Sequence, residues 1–258
     1  MEEFIKKYWK TLLFFAIVGA VGGFFVGIYL LDGYPQEIKD QLIAELNGFD
    51  LIPVDILVGL VTMVQSAGYG IVLGGLGIFL AKKIGLWKDE KTLTKTPLTV
   101  ALILSVVGGL LMILPDLLFF NGYSDAIKNS YATKPNATYI LASVTYGAVI
   151  EEVMLRLFMM SLVAFGLQKL FEKQSDKPSG KLLIIANVVS ALLFAAGHLP
   201  ATVMMIGTSP LIIARCFLLN GGLGFLFGYL YQKYGLRYAM IAHGGCHIVS
   251  KLIWILFI

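Results

Sequence analysis

Residues 139–167 read YILASVTYGAVIEEVMLRLFMMSLVAFGL, an apolar run interrupted only by Glu151, Glu152 and Arg156. A helix crosses the hydrocarbon core in about 20 residues, so this run exceeds one straight crossing and must tilt, protrude or break. Ionisable groups are costly in hydrocarbon, and each one here calls for a partner or a purpose. Glu152 and Arg156 are four apart, on one helical face, and predict an ion pair. Glu151 is rotated about 100° from its neighbour and lacks that cation. It is left free to react.

Six more apolar stretches surround this one, at approximately 11–31, 51–81, 98–120, 182–198, 210–231 and 238–258. Of the 258 residues, 58% are hydrophobic and 14% charged, where a globular domain carries about 25% charged. Mean hydropathy is +0.82. A water-soluble fold has no place for so much apolar surface. Soluble enzymes, disordered chains and nucleic-acid-binding domains are therefore disfavoured. The fold class expected is all-α: a polytopic transmembrane helix bundle of about 7–8 membrane helices, forming a single integral membrane domain over 1–258. The first stretch is too long for a signal-peptide core and reads as retained. The segment 33–50 reads as an interfacial turn, and neither a domain-scale repeat nor a low-complexity linker is visible.

Basic residues set the orientation. The N-terminus holds Lys6, Lys7 and Lys10, and the second connection Lys82, Lys83, Lys88, Lys91 and Lys95. The fourth connection holds Lys169, Lys173, Lys177 and Lys181, and the sixth Lys233 and Arg237. Against these fourteen, the alternate connections hold Lys39, Lys128 and Lys134. This places the N-terminus in the cytoplasm and, for seven crossings, the C-terminus outside. The net charge of +4 follows this topology and needs no acidic partner, although the basic face permits contact with anionic lipid. Cys216 and Cys246 both lie in apolar stretches and imply no disulfide framework. Gly19, Gly23 and Gly27, and again Gly224 and Gly228, have the spacing that lets helices approach closely. Asn136-Ala-Thr138 forms a glycosylation sequon, relevant only in a eukaryotic secretory membrane.

All three histidines lie in apolar segments. Phe194-Ala-Ala-Gly-His198 ends the fifth stretch, where Phe194 can pack against the imidazole one turn later. His243-Gly-Gly-Cys-His247 lies in the last, with two imidazoles one turn apart. That spacing chelates zinc or presents two donors to one oxygen. The alternative is structural: a charged triad and a histidine pair that only pin neighbouring helices.

In order, Glu151-Glu152-Val-Met-Leu-Arg156, Phe194-Ala-Ala-Gly-His198 and His243-Gly-Gly-Cys-His247 resemble the motifs of the CPBP intramembrane proteases. That family, also called Abi or CAAX-protease-like and commonly labelled metalloproteases, includes prenyl-protein endopeptidases that remove the last three residues of a CAAX tail. The resemblance spans 139–258 and implies roles. Glu151 with His198 activates a water, His243 with His247 stabilises the oxyanion, and Glu152 with Arg156 maintains the geometry. The family usually has Asn or Asp where this chain has His247. That exchange makes His198, His243 and His247 a candidate zinc set, with Glu151 remaining the base. Cys246 is a weaker rival nucleophile.

The resemblance implies hydrolysis of a membrane-associated peptide or protein: a CAAX-type tail, a pheromone or leader, or a membrane regulator. A bacterial cell membrane is the expected setting. The rival readings are bacteriocin self-immunity, a non-catalytic membrane scaffold and, less favoured, a proton-coupled transporter using Asp55, Asp116, Glu151 and Arg215. Depth poses a conflict. His198 lies near the outer end of its segment and His243 only about six residues from the inner end of its own, at ~1.5 Å per residue. Either a helix is broken or re-entrant, within 199–210 (Pro200, Gly207, Pro210) or by division of 51–81, or a crossing is misassigned, since the resemblance implies a cytosol-facing active site.

Overall fold

The computed structural model describes residues 2–45, 52–89 and 92–258. Lys91 and the end of the 33–50 segment lie outside the described residues. Among the described residues every regular element is helical. In chain order these are α1 (Glu2–Gly33), α2 (Gln36–Glu45), α3 (Val54–Lys83), α4 (Lys95–Leu118) and α5 (Asp125–Ser130). They continue with α6 (137–171), α7 (Gly180–Met205), α8 (Pro210–Tyr234) and α9 (Leu236–Phe257). Six of them (α1, α3, α4, α7, α8 and α9) are long and apolar enough to cross a membrane. The seventh apolar stretch lies in α6, which is helical throughout but wound in successive segments of different pitch. The chain is an all-α membrane bundle, as the composition requires.

α6 occupies the middle, packed by α1, α3, α7, α8 and α9. Its ends are α-helical, whereas Ser143–Glu151 and Val153–Met160 are π-helical, with Glu152 at the join. π-turns are rare and concentrate at functional sites, because their wider turn re-aims side chains. Ser190 on α7 donates to the Leu155 carbonyl at 2.6 Å, bonding a backbone oxygen of this irregular stretch. α8 contains a third π-helical segment at Phe217–Gly221.

Small residues place α1 on α3. A methyl group added to Gly19 would meet the Ser66 carbonyl, and one on Gly23 the Thr62 carbonyl. Lipid supplies no hydrophobic force between helices, so such close backbone packing must hold them. Accordingly Ser66, Ser105, Asn187 and Ser190 are buried, while Val64, Ile103 and Leu252 are exposed on the outer surface. Gly235 alone joins α8 to α9, with φ +106 and its N–H bonded to Leu230 and Tyr231 carbonyls. A side chain would strain that turn.

The expected re-entrant piece is absent from 199–210. α7 runs unbroken through Pro200 to Met205, and the chain restarts at Pro210 with Ser209 capping the Ile212 N–H. α3 is likewise undivided. The depth conflict disappears because the helices do not start from one plane. His198 stands 18 residues after Gly180 and His243 seven after Leu236, yet both reach Glu151. Of the 33–50 segment, Gln36–Glu45 is a helix with no buried residue. Asn136 of the sequon caps α6, its side chain accepting the Tyr139 N–H at 2.8 Å.

Candidate active site

Three helices bring the charged residues of the sequence together at the join between the two π-turns. Glu152 and Arg156 are fully buried, with Arg156 Nη1 3.2 Å from Glu152 Oε1. The guanidinium makes no hydrogen bond among the described residues, so the contact is charge pairing rather than a directed bond. Its faces are covered by aromatic rings, Phe194 at 4.4 Å and Phe227 at 5.6 Å, a favourable cation–π setting away from water. Gly224 on α8 makes room for it: a methyl group there would stand 3.0 Å from both Arg156 Nη2 and Phe194 Cδ1.

Glu152 Oε1 also accepts from His243 Nδ1 at 2.9 Å. A carboxylate can only accept, so Nδ1 carries the proton and His243 Nε2 is the free ring nitrogen. The His243 ring is clamped between Phe227, stacked at 4.5 Å, and His247, stacked at 5.0 Å. His198 is fixed by the same logic. Its Nδ1 lies 2.9 Å from the Phe194 carbonyl oxygen, which leaves Nε2 free, and Phe194 packs edge-on against its ring at 4.6 Å.

Glu151 differs from its neighbour in every respect. It is 19% exposed where Glu152 is fully buried. Its two oxygens face two different imidazoles: Oε1 stands 3.9 Å from His198 Nε2, and Oε2 stands 3.9 Å from His243 Nε2. These gaps are too long for direct hydrogen bonds and suit a bridging water. Gly147, one turn earlier, leaves the approach bare. A methyl group there would lie 3.2 Å from His247 Nε2 and 3.8 Å from Glu151 Oε2.

Glu151, His198 and His247 line a cavity of about 520 Å³. Tyr29, Tyr131, Tyr139 and Tyr146 are also in its wall, together with Arg215 and Asn220. Arg215 is held by both oxygens of Asp116, which also accepts from Tyr131 at 2.8 Å. Lys251 is buried one turn beyond His247, with Nζ 3.3 Å from His247 Nδ1 and 4.1 Å above the Tyr139 ring. Cys246 does not line this cavity; its Sγ points to the Leu104 carbonyl of α4.

All six candidate residues, Glu151, Glu152, Arg156, His198, His243 and His247, thus fall in one cluster. The candidate zinc set does not. Among the described residues no three His, Cys, Asp or Glu side chains are arranged to hold a metal ion. The rings of His243 and His247 are nearly parallel, 28° apart. Ring-nitrogen lone pairs lie in the ring planes, so those of two stacked imidazoles run side by side instead of converging on one ion. His247 also presents Nδ1 to an amine.

Residues 133–249 match the family model described as type II CAAX prenyl endopeptidase Rce1-like. This part of the chain is similar to that family. The match begins just before α6 and ends within α9, so it takes in all three motifs. Comparison with curated proteins and with solved structures gives no match.

Proposed function

We propose that the chain is an intramembrane endopeptidase in which Glu151 activates a water for attack on a peptide carbonyl. The observation that carries this reading is the pair of 3.9 Å gaps between the Glu151 oxygens and two oriented imidazoles. With Nδ1–H turned to the Phe194 carbonyl, neutral His198 offers Nε2 as an acceptor beside the acceptor Glu151 Oε1. Two acceptors facing each other across such a gap suit one water, which donates a hydrogen to each and turns a lone pair to the cavity. Glu151 takes the proton as that water attacks.

His243 takes the complementary part. Its Nδ1–H is held by Glu152, as a carboxylate orients the imidazole of a catalytic triad. In its protonated form it presents Nε2–H towards the site and supports the negative charge forming on the carbonyl oxygen. His247, stacked beside it and bordering Glu151, stands where the family has Asn or Asp and supplies the second donor. Glu152 and Arg156 touch no substrate; they hold His243 and balance its charge. No step is routed through zinc.

The test is cleavage of a quenched peptide library, including prenylated C-terminal tails, by the full chain in detergent or liposomes. Cleavage by the wild type that is lost in both Glu151→Gln and His198→Ala supports the proposal. If Glu151→Gln cleaves like the wild type, the catalytic assignment is wrong.

A further inference from the structure

Basic residues that are scattered along the sequence are gathered by the fold. Lys10 on α1, Lys88 after α3 and Arg237 at the start of α9 line one cavity of about 700 Å³. Lys88 lies against the turn between α8 and α9, where a methyl group on Gly235 would stand 3.0 Å from its Cγ. Among the described residues none of the three has a carboxylate within salt-bridge distance. Asp89, beside Lys88 in the sequence, is held by Lys7 at 3.2 Å. Trp87, Tyr234 and Tyr238 share the wall, next to these cations in the sequence. Amphipathic rings of this kind sit at the membrane–water boundary.

Away from the cations the wall is apolar and runs along the bundle. α9 contributes Arg237, Ile241, Gly244 and Ile248, which are four, three and four apart and share one helical face. Eleven residues separate Arg237 from Ile248. At ~1.5 Å per residue that is ~16 Å, about half of the ~30 Å hydrocarbon core, or the depth of one leaflet. Phe14 of α1 faces this stripe, and α6 forms the floor at Val144 and Ala148. Both α1 and α9 pack on the Ser143–Glu151 segment of α6. Phe14 and Ile248 are about half exposed, at 50% and 46%, so the groove is open to the surrounding lipid.

We infer that this groove binds an anionic phospholipid, its headgroup among Lys10, Lys88 and Arg237 and an acyl chain along α9 as far as Ile248. A soluble anion would match the cations and leave the apolar length empty. A neutral lipid would fill the length and leave three charges unmatched. An anionic lipid satisfies both, and basic residues near a membrane surface attract such lipids by about 1 kcal/mol each. The bound chain would rest on the reverse side of the segment that carries Glu151, where Ala148 meets Gly244, the neighbour of His243. The site does not depend on the proposed reaction.

The test uses the full chain in a neutral detergent, with binding read by native mass spectrometry. Phosphatidylglycerol, phosphatidylcholine of the same acyl chains, and glycerol phosphate are titrated separately. Phosphatidylglycerol should bind, phosphatidylcholine more weakly, and glycerol phosphate not at all. Lys10→Gln, Lys88→Gln and Arg237→Gln combined should weaken phosphatidylglycerol binding by about 100-fold, from about 1 kcal/mol per charge. Lys169→Gln, Lys173→Gln and Lys181→Gln combined remove three exposed charges outside the groove and should leave binding unchanged. Equal binding of the two lipids, or equal loss in the two triple variants, overturns the site. Glycerol phosphate binding as tightly as the lipid overturns the lipid assignment. A second measurement needs no substitution: the wild type is photolabelled with phosphatidylglycerol carrying a diazirine on its acyl chain. Labels at Phe14, Val144, Ile241 or Ile248 that unlabelled phosphatidylglycerol competes away support the site, and labels confined to other positions overturn it.

Discussion

Exchanging each of the adjacent glutamates for glutamine should separate the residue that holds the site from the one that reacts. Glu152 and Arg156 are both fully buried, 3.2 Å apart. At an effective dielectric constant near 20, their Coulomb attraction over that distance is about 5 kcal/mol. Removing one member of a buried pair strands the other charge, which typically destabilises by about 3–5 kcal/mol. Arg156 has no other anionic partner within salt-bridge distance among the described residues and no hydrogen bond to fall back on. Glu152→Gln should therefore lose stability by about 3–5 kcal/mol. Glu151 makes no hydrogen bond among the described residues and is partly exposed, so the isosteric Glu151→Gln should stay within about 0.5 kcal/mol of wild type. Cleavage by Glu151→Gln should nevertheless fall by about 10²–10⁴-fold, the contribution of a positioned base. The assay is equilibrium unfolding in mixed micelles, followed by tryptophan fluorescence, beside peptide cleavage at a temperature where every variant is folded. A Glu152→Gln protein as stable as wild type would refute the claim that the pair holds the site. Equal destabilisation by both exchanges would refute the division of labour.

Three other outcomes follow from neighbouring contacts. Gly147→Ala places a methyl group 3.2 Å from His247 Nε2 and should lower kcat by up to about 100-fold with little change in unfolding, because a small misplacement in the site is enough. Lys251 is buried without a carboxylate partner among the described residues. A charged side chain in the membrane interior is unfavourable by about 2.5–3.5 kcal/mol on insertion scales, so Lys251→Met should unfold later than wild type, by roughly 1–3 kcal/mol. Its kcat should fall as His247 loses its neighbour, and a stabilised variant with unchanged kcat would deny Lys251 any part in placing that imidazole. Chelators should leave cleavage unaffected, since the histidines do not converge; loss of activity restored by added zinc would show that they rearrange around an ion.

What the sequence made legible is what lies within one helical turn. The Glu152–Arg156 pair and Phe194 against His198 are each four residues apart and form as their spacing predicts, whereas His243 and His247, at the same spacing, share a face but stack on one another. The convergence of α6, α7 and α9 on Glu151 is a long-range fact that no local spacing encodes; only the resemblance to a family put those motifs in one place. Other features left weaker signals or none. Asp116 and Arg215 are lone charges of opposite sign in apolar stretches, but 99 positions separate them. The π-turns around Glu152 have no compositional mark, and they arise where α6 meets five neighbouring helices.

The zinc question shows most directly what residue identity conceals. Three histidines in hydrocarbon are a plausible ligand set by count, and the chemistry turns on which ring nitrogen of each is already engaged. His198 has given Nδ1 to a backbone carbonyl and His243 has given Nδ1 to Glu152, so both turn Nε2 to the same carboxylate. His247 is stacked flat on His243, with its own Nδ1 beside Lys251. The same three residues, rotated differently, would make a different enzyme. Those rotations are set by Phe194, Phe227 and Glu152, none of which carries a zinc-site signature. The aromatic clamp around Arg156 and His243 therefore belongs to the geometry of the site as much as the glutamate does, because it decides which ring atoms face Glu151.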